Sequence, residues 1–355
     1  MTPFFSIIVP CCDVEQYLRE SLDSVLKQSF DDWECLLGVE DSNDATLEIA
    51  REYERKDSRF KVFTGPRSGS CSASRNTGID KSAGQYIIFL DGDDTIEDGS
   101  LQKLHDKITA NPGADLYPCA IQVYNETTGK NEELRDNYPA GYSGELSGPQ
   151  AIILIYTRNR APCPMLQMTV FRRKFLVENN LKCLYGRKRQ DSEFSPRALY
   201  LAKRVAPLHE TFYLYRVRRG SISTLAKDTG YFLNDYAEIL QSLFAFHNSI
   251  AAQPSFDARI SRLWARHWLT WLCYYWFAPR VIKNTSRELR AKTLEKLFQN
   301  GFKDFDLICR SSTLARRIAG FFIKMAVRCP SLLRLTDTFF LRVYNPLTSI
   351  RDAIC

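Results

Sequence analysis

Three carboxylates within four residues, Asp91, Asp93 and Asp94, close the stretch QYIIFLDGDD at residues 85–94. Carboxylates so spaced offer hard oxygen ligands to a divalent cation, and such a cation usually holds substrate phosphates as well. The element in front of them gives the spacing its weight. Residues 86–90, YIIFL, are apolar or aromatic without a break, which is how a strand covered on both faces of a parallel sheet reads. In an open α/β sheet the ligand crevice lies outside the carboxyl ends of the strands. This strand would therefore deliver its acids into the crevice. An acidic turn that binds nothing is the plainer alternative.

A second strand candidate, residues 33–39 (WECLLGV), also ends in acids, Glu40 and Asp41. If both strands finish on one edge, the two acid sets converge. The elements that must place them follow in short alternation. Residues 4–9 (FFSIIV) form a first strand ended by Pro10, and residues 14–27 carry apolar side chains at helical spacing. A helix over 45–55, a short strand over 60–63 and a helix over 70–81 lead into the YIIFL strand. Strand and helix repeated this way predict an α/β fold, a mostly parallel, doubly wound sheet flanked by helices. The first turn, PCCDVE, lacks both the glycine pattern of dinucleotide sites and that of phosphate loops. A nucleotide bound here must be held by metal and side chains.

With these blocks in order, FSIIVPCCDVEQYLRESLDSVLKQSFDDWECLL followed by SASRNTGIDKSAGQYIIFLDGDD resembles the N-terminal half of family 2 glycosyltransferases, over about residues 4–110. The resemblance implies a GT-A fold (the nucleotide-diphospho-sugar transferase fold), a nucleotide-sugar donor, a divalent metal (Mg or Mn) and inversion at the anomeric carbon. In the family, strand two is followed by Asp-Asp-Gly-Ser-x-Asp, whose carboxylates hold the base. Here the segment reads VEDSND. Aligned without a gap, Val39 and Glu40 take the two acidic positions; a one-residue gap gives them to Glu40 and Asp41. The resemblance puts Arg75 close to the nucleotide, Asp91 at the ribose and Asp93 on the metal. It also places Pro10, Cys12, Glu40, Asp41 and Gly92 among the nucleotide-sugar contacts. Two of the residues have plainer readings: Asp44 serves equally as a helix cap, and Arg75 as a partner for Asp91 or Asp93.

Further on, residues 98–110 read as a helix. Residues 115–124 read as one strand, which Pro118 marks as an edge or bulge. Residues 125–148 are polar and glycine-rich, a hairpin plus loop where an acceptor would approach. PMLQMTVFRRKFL resembles the family segment that returns across the active-site face. In RQDSEFSPRALYL, residues 189–201, the resemblance makes Asp191 the catalytic base, with Gln190 where the family has Glu. A carboxylate beside a sugar hydroxyl suits proton removal in a partly desolvated site; an N-cap is the alternative. Arg216, Arg218 and Arg219 are candidates for the donor diphosphate, or for a solvated basic loop.

The chain has 355 residues and a net charge of +7, unevenly spread. Residues 230–355 hold 18 Lys and Arg against 9 Asp and Glu. We therefore divide the chain into a catalytic domain, 1–225, and a helical, basic, aromatic-rich region, 226–355. Eleven cysteines without CxxC pairs read as apolar residues of a reducing compartment. A strand begins almost at once, with no basic segment leading into an apolar one, so a cytoplasmic location is expected. LWARHWLTWLCYYWFAPRVI, residues 263–282, fits either an interfacial anchor or a helix packed on the catalytic domain. Residues 318–343 repeat the basic and aromatic mixture. The expected partners are the nucleotide-sugar donor, a glycan or polyprenyl-linked acceptor and an anionic membrane surface at the cell membrane's inner face, with no nucleic acid. A sugar nucleotidyltransferase and a degenerate nucleotide-sugar-binding module are the competing readings.

Overall fold

The computed structural model describes residues 2–158, 165–218, 232–299, 321–325, 327–328 and 333–340, together with Pro162 and Ser221. The chain forms two compact units, Met1–Ile152 with Pro164–Arg219, and Ile153–Cys163 with Gly220–Cys355.

The first unit opens with β1 (Phe5–Cys11), α1 (Glu15–Leu26), β2 (Trp33–Glu40), α2 (Thr46–Lys56), β3 (Phe60–Gly65), α3 (Ser72–Lys81) and β4 (Tyr86–Phe89). The strands β1, β2 and β4 are buried at every position, as strands of a sheet covered on both faces are. β1 lies between β2 and β4 and is parallel to both, and β3 runs parallel to β2 outside it. The chain thus switches direction across the sheet at β1, the place where open α/β sheets bind their ligands.

β5 (Thr95–Ile96), α4 (Ser100–Ala110), β6 (Leu116–Pro118), β7 (Ala120–Asn125), β8 (Lys130–Arg135) and α5 (Gly148–Arg158) follow. A 3-10 turn, Leu166–Met168, then leads into β9 (Thr169–Arg172), α6 (Arg173–Glu178), α7 (Asp191–Leu201) and β10 (Thr211–Val217). β9 joins the main sheet antiparallel to β4, and β6 closes the edge beside it, giving the order β3-β2-β1-β4-β9-β6. The single strand expected over 115–124 is thus two. They part at Cys119 and serve different sheets, because β7 joins β5, β10 and β8 in a second, four-stranded sheet. Pro118 ends the edge strand, where a missing N–H does least harm. The hairpin expected next is β7–β8.

Helix α3 lies unusually close to the main sheet. A Cβ on Gly38 would come within 2.8 Å of Ser74 Cβ, and one on Gly78 within 2.4 Å of Ile8 Cγ2. Two glycines, one in the strand and one in the helix, let α3 sink onto β1 and β2. That depth sets where its polar side chains arrive.

The second unit holds α8 (Leu233–Ala251), α9 (Ala258–Phe277), α10 (Pro279–Asn284), α11 (Arg287–Leu297) and α12 (Leu333–Phe339). Trp264, Trp268 and Trp276 of α9 are among its fully buried side chains. Tyr275 stacks on Tyr236 of α8 at 3.7 Å between ring centroids. Arg290 of α11 forms a buried pair with Asp337 of α12. The aromatic run over 263–277 therefore packs largely within the second unit's own core. Among the described residues no helix is long and apolar enough to cross a membrane. Of the 318–343 segment, residues 318–320, 326, 329–332 and 341–343 lie outside the described residues.

Candidate active site

The carboxyl ends of β1, β2 and β4 bring Pro10, Cys12, Glu40, Asp41, Asp91, Gly92 and Asp93 to one rim. Register does this: Cys11 pairs with Val39 and Ile8 with Phe89, so β1 and β2 finish nearly level and the DGDD turn that follows β4 runs on toward the same rim. Gly92 sits against the Pro10 carbonyl, where an added Cβ would be 3.3 Å away. The Cys12 thiol points to the Asp41 carbonyl at 3.8 Å. Burial raises that thiol above its ordinary value.

Consecutive residues of α3 grip both acid sets. Ser74 Oγ donates to Glu40 Oε1 (3.2 Å), while Arg75 Nη2 donates to Asp91 Oδ1 (2.6 Å). Glu40 also accepts from the Ser68 N–H (2.7 Å) and hydroxyl (2.9 Å). It thereby ties the β3–α3 loop to the end of β2. Arg67 of that loop reaches Asp13 Oδ2 (2.6 Å) and the Asp41 carbonyl (3.0 Å), closing a clasp over the same corner.

Arg75 is only 2% exposed, so its guanidinium is a buried cation. Burial works against its charge, yet Asp91 and the groups around it hold its pKa above the ordinary value. The Gln190 amide has one orientation that satisfies both its ends. Its oxygen then accepts from Arg75 Nη1 (2.5 Å), and its nitrogen donates to the Arg187 carbonyl (2.9 Å). Asp191 follows as the first residue of α7, its carboxylate accepting from the Ser192 N–H at 2.9 Å. Burial pushes Asp191 up, and Arg189 and Arg75 pull it part of the way back. Cys71, beside this group, is raised by burial to about 11 and stays a thiol at neutral pH.

The third acid of the DGDD turn faces inward. Asp94 is 1% exposed and accepts from Tyr213 OH (2.6 Å) and the Arg216 N–H (2.7 Å). It anchors β10 to the turn. Asp93 accepts from Arg218 Nε at 2.8 Å. Burial, and then the charge of Asp91, push the Asp93 carboxyl up. Arg216 is engaged by Glu20 and by the Asp93 carbonyl, and Arg219 lies outside the described residues. Asp44 accepts from the Thr46 and Glu15 N–H groups, each at 3.0 Å. That is capping of two helix starts, the plainer of its two readings.

Sequence reasoning passed over three participants. Gln167, 5% exposed in the turn before β9, donates to Asp91 Oδ2 (2.5 Å), so both oxygens of that carboxylate are held. Ser68 and Tyr213 are the other two. None carries a sequence signal, since each depends on a crossover that brings distant segments to the rim.

The sequence profile described as "Glycosyl transferase family 2" matches residues 6–178. Those residues are a family 2 glycosyltransferase domain. The enzyme is similar to the glycosyltransferase EpsJ of Bacillus subtilis, 28% identical over 298 residues, which span 81% of this chain and 84% of EpsJ. Over 221 residues it is 28% identical to the glycosyltransferase GlyA of Streptococcus pneumoniae, covering 61% of this chain but only 31% of GlyA. Among solved structures, TarS of S. aureus in complex with UDP-GlcNAc superposes with a TM-score of 0.72 at 18% identity, over 95% of this chain and 91% of that one. This glycosyltransferase thus has the α/β architecture of the GT-A enzymes, with a helical C-terminal region.

Proposed function

We propose that this glycosyltransferase moves a sugar from a UDP-sugar to a hydroxyl of a glycan or lipid-linked acceptor, by a single inverting displacement. One observation carries the reading: α3 and α7 draw Glu40, Arg75, Asp91 and Gln190, the residue before Asp191, into one polar network at the carboxyl rim. The UDP-GlcNAc in the TarS structure supports a uridine donor. Glu40 with Ser68, and Asp91 with Arg75, would seat the nucleoside. Asp191 would take the acceptor proton. Its raised pKa suits a base that works near neutral pH.

A divalent cation fits the rim. Asp91 and Asp93 crowd like charge together behind a turn, and Asp94 lies directly beneath. Among the described residues no three acidic, His or Cys side chains gather to hold an ion alone. Asp93 would hold it from the protein side, with water and donor oxygens as the remaining ligands, as Mg and Mn prefer. Such an ion supplies charge neutralisation for a diphosphate leaving group. Arg218, already on Asp93, would stand at the same oxygens as a fixed cation.

The polysaccharide role and a peripheral site at the cytoplasmic face of the membrane belong to the same proposal. Basic charge alone now supports the membrane contact, since the rings of α9 are buried. The test is release of UDP from a panel of UDP-sugars with and without manganese, in wild type and in Asp93→Ala and Asp191→Asn. Release that needs both carboxylates supports the assignment. Donor binding without any turnover in wild type would instead make this a degenerate binding module.

A further inference from the structure

The rim contains one buried cation and two carboxylates on which its charge acts. Arg75 projects from α3 with Nη2 on Asp91 and Nη1 on the amide oxygen of Gln190. Gln190 is 2% exposed and is itself fixed by the Arg187 carbonyl. Asp91 is fixed from its other side by Gln167. The guanidinium therefore sits in a slot with a wall at each end. The residue that follows Gln190 in the chain is Asp191.

We propose that Gln190 is a positioning residue, whose neutral amide holds the Arg75 guanidinium where one positive charge serves both Asp91 at the nucleoside seat and the base Asp191. A glutamate at 190 would claim the cation through a full ion pair and place a second negative charge next to the base. A neutral amide orients the guanidinium without consuming its charge. The Gln190 departure from the family pattern then has a physical consequence. It leaves the cation's field to the two carboxylates, and so sets the pH above which the base is free of its proton.

The groups that face Asp191 are known from each element around it. Helix α3 contributes Arg75 and Cys71, the end of β4 contributes Asp91, and the segment before α7 contributes Arg189 and Cys183. On α7 itself Glu193 is paired with Arg197. Both thiols are raised by burial and stay neutral near pH 7. Arg189 holds a left-handed backbone, φ 59°, an uncommon conformation for a side chain of that size. Arg75 also bonds Asp91, so its charge can couple the two carboxylates.

The inference rests on Asp191 being the base, and its test is separable from that reading. The full chain, labelled with ¹³C at aspartate carboxyls, is titrated without ligand, and the Asp191 signal is assigned by its loss in Asp191→Asn. In Gln190→Glu the Asp191 midpoint should rise by about one pH unit, roughly tenfold in proton affinity. In Asp91→Asn the other claimant is gone and the midpoint should fall. Direct repulsion by an added or removed carboxylate gives shifts of the same signs, so Gln190→Leu, which frees the guanidinium without adding charge, decides: the Asp191 midpoint should again rise, whereas a residue that only supports packing would lower the melting temperature and leave it in place. A midpoint within about 0.2 unit of wild type in a folded Gln190→Leu protein would overturn the proposal. If the midpoints move as stated while Asp191→Asn retains full UDP release, the coupling stands and the catalytic assignment falls.

Discussion

The main sheet carries a buried carboxylate group at each end, and the two are solved differently. At the amino-terminal end Glu34 of β2 accepts from Ser6 Oγ (2.6 Å), the Ala83 N–H (2.6 Å) and Lys61 Nζ (2.7 Å). Burial alone would raise it, but these donors outweigh burial and hold it below its ordinary value. At the carboxyl end Asp93, Asp94 and Asp191 are all raised, first by burial. The sheet tolerates crowded negative charge on one rim and neutralises it on the other. A carboxylate that serves stability is given its donors by the fold. Of the raised set, Asp94 is held by Tyr213 and Arg216, Asp93 by Arg218 and Asp191 by the Ser192 N–H, and raised carboxylates of this kind are candidates for a functional site.

The largest effect should come from the crowded rim. Asp191→Asn and Asp93→Ala should each lower kcat by about 10³-fold, the scale of a lost general base or metal contact. Neither should lower the melting temperature, because each removes a charge that is costly to bury. The comparison breaks if either variant unfolds more readily than wild type. Rates of UDP release beside thermal melts decide it. At the other rim the outcomes should invert. Glu34→Ala strands the Ser6 hydroxyl and the Ala83 N–H, and should cost about 2–3 kcal/mol in urea unfolding, with kcat of the folded protein unchanged.

The two rims should also respond to pH with opposite sign. Glu34 is depressed, so its stabilisation is complete above the ordinary carboxylate range and is lost as pH falls through its lowered pKa. Asp93 and Asp94 are raised, so ionising them costs stability, and that cost is relieved as pH falls through their raised values. Activity follows the second rim. As the proposed base, Asp191 would act deprotonated, so the acid limb of kcat should lie above the range of an ordinary carboxylate. Glu34→Gln should flatten the acid-side loss of stability and leave that limb in place. A limb that moves with Glu34 would mean the rims are not independent.

How far the sequence displayed this contrast depends on range. The buried strands and their terminal acids were legible, since an unbroken apolar run and the residues that end it are neighbours in the chain. Which acids remain crowded was not. Asp94 looks like Asp93 in the sequence, yet it is satisfied by Tyr213 and Arg216, more than a hundred residues away. The strand over 115–124 was misread for a related reason. Its apolar pattern shows that both halves are buried, and says nothing of their entering different sheets. The aromatic run of α9 was open to two readings, because a ring-rich helix looks alike whether lipid or protein covers it.

Glu40 lies between the two cases and should give the smallest effect. It is 5% exposed at the crowded rim, yet Ser68 and Ser74 supply it with donors much as Ser6 and Ala83 supply Glu34. Such a residue should act on the donor through the loop it holds. Asp at this position is one methylene too short to reach the Ser68 N–H from the end of β2. Glu40→Asp should therefore raise the donor KM by about tenfold, the worth of one lost hydrogen bond, with kcat nearly unchanged. Ser68→Ala should raise it less, because the backbone N–H still reaches the carboxylate. If Glu40→Asp instead lowers kcat with KM unchanged, Glu40 belongs with Asp93 and Asp191, and the division between supplied and crowded carboxylates fails at this position.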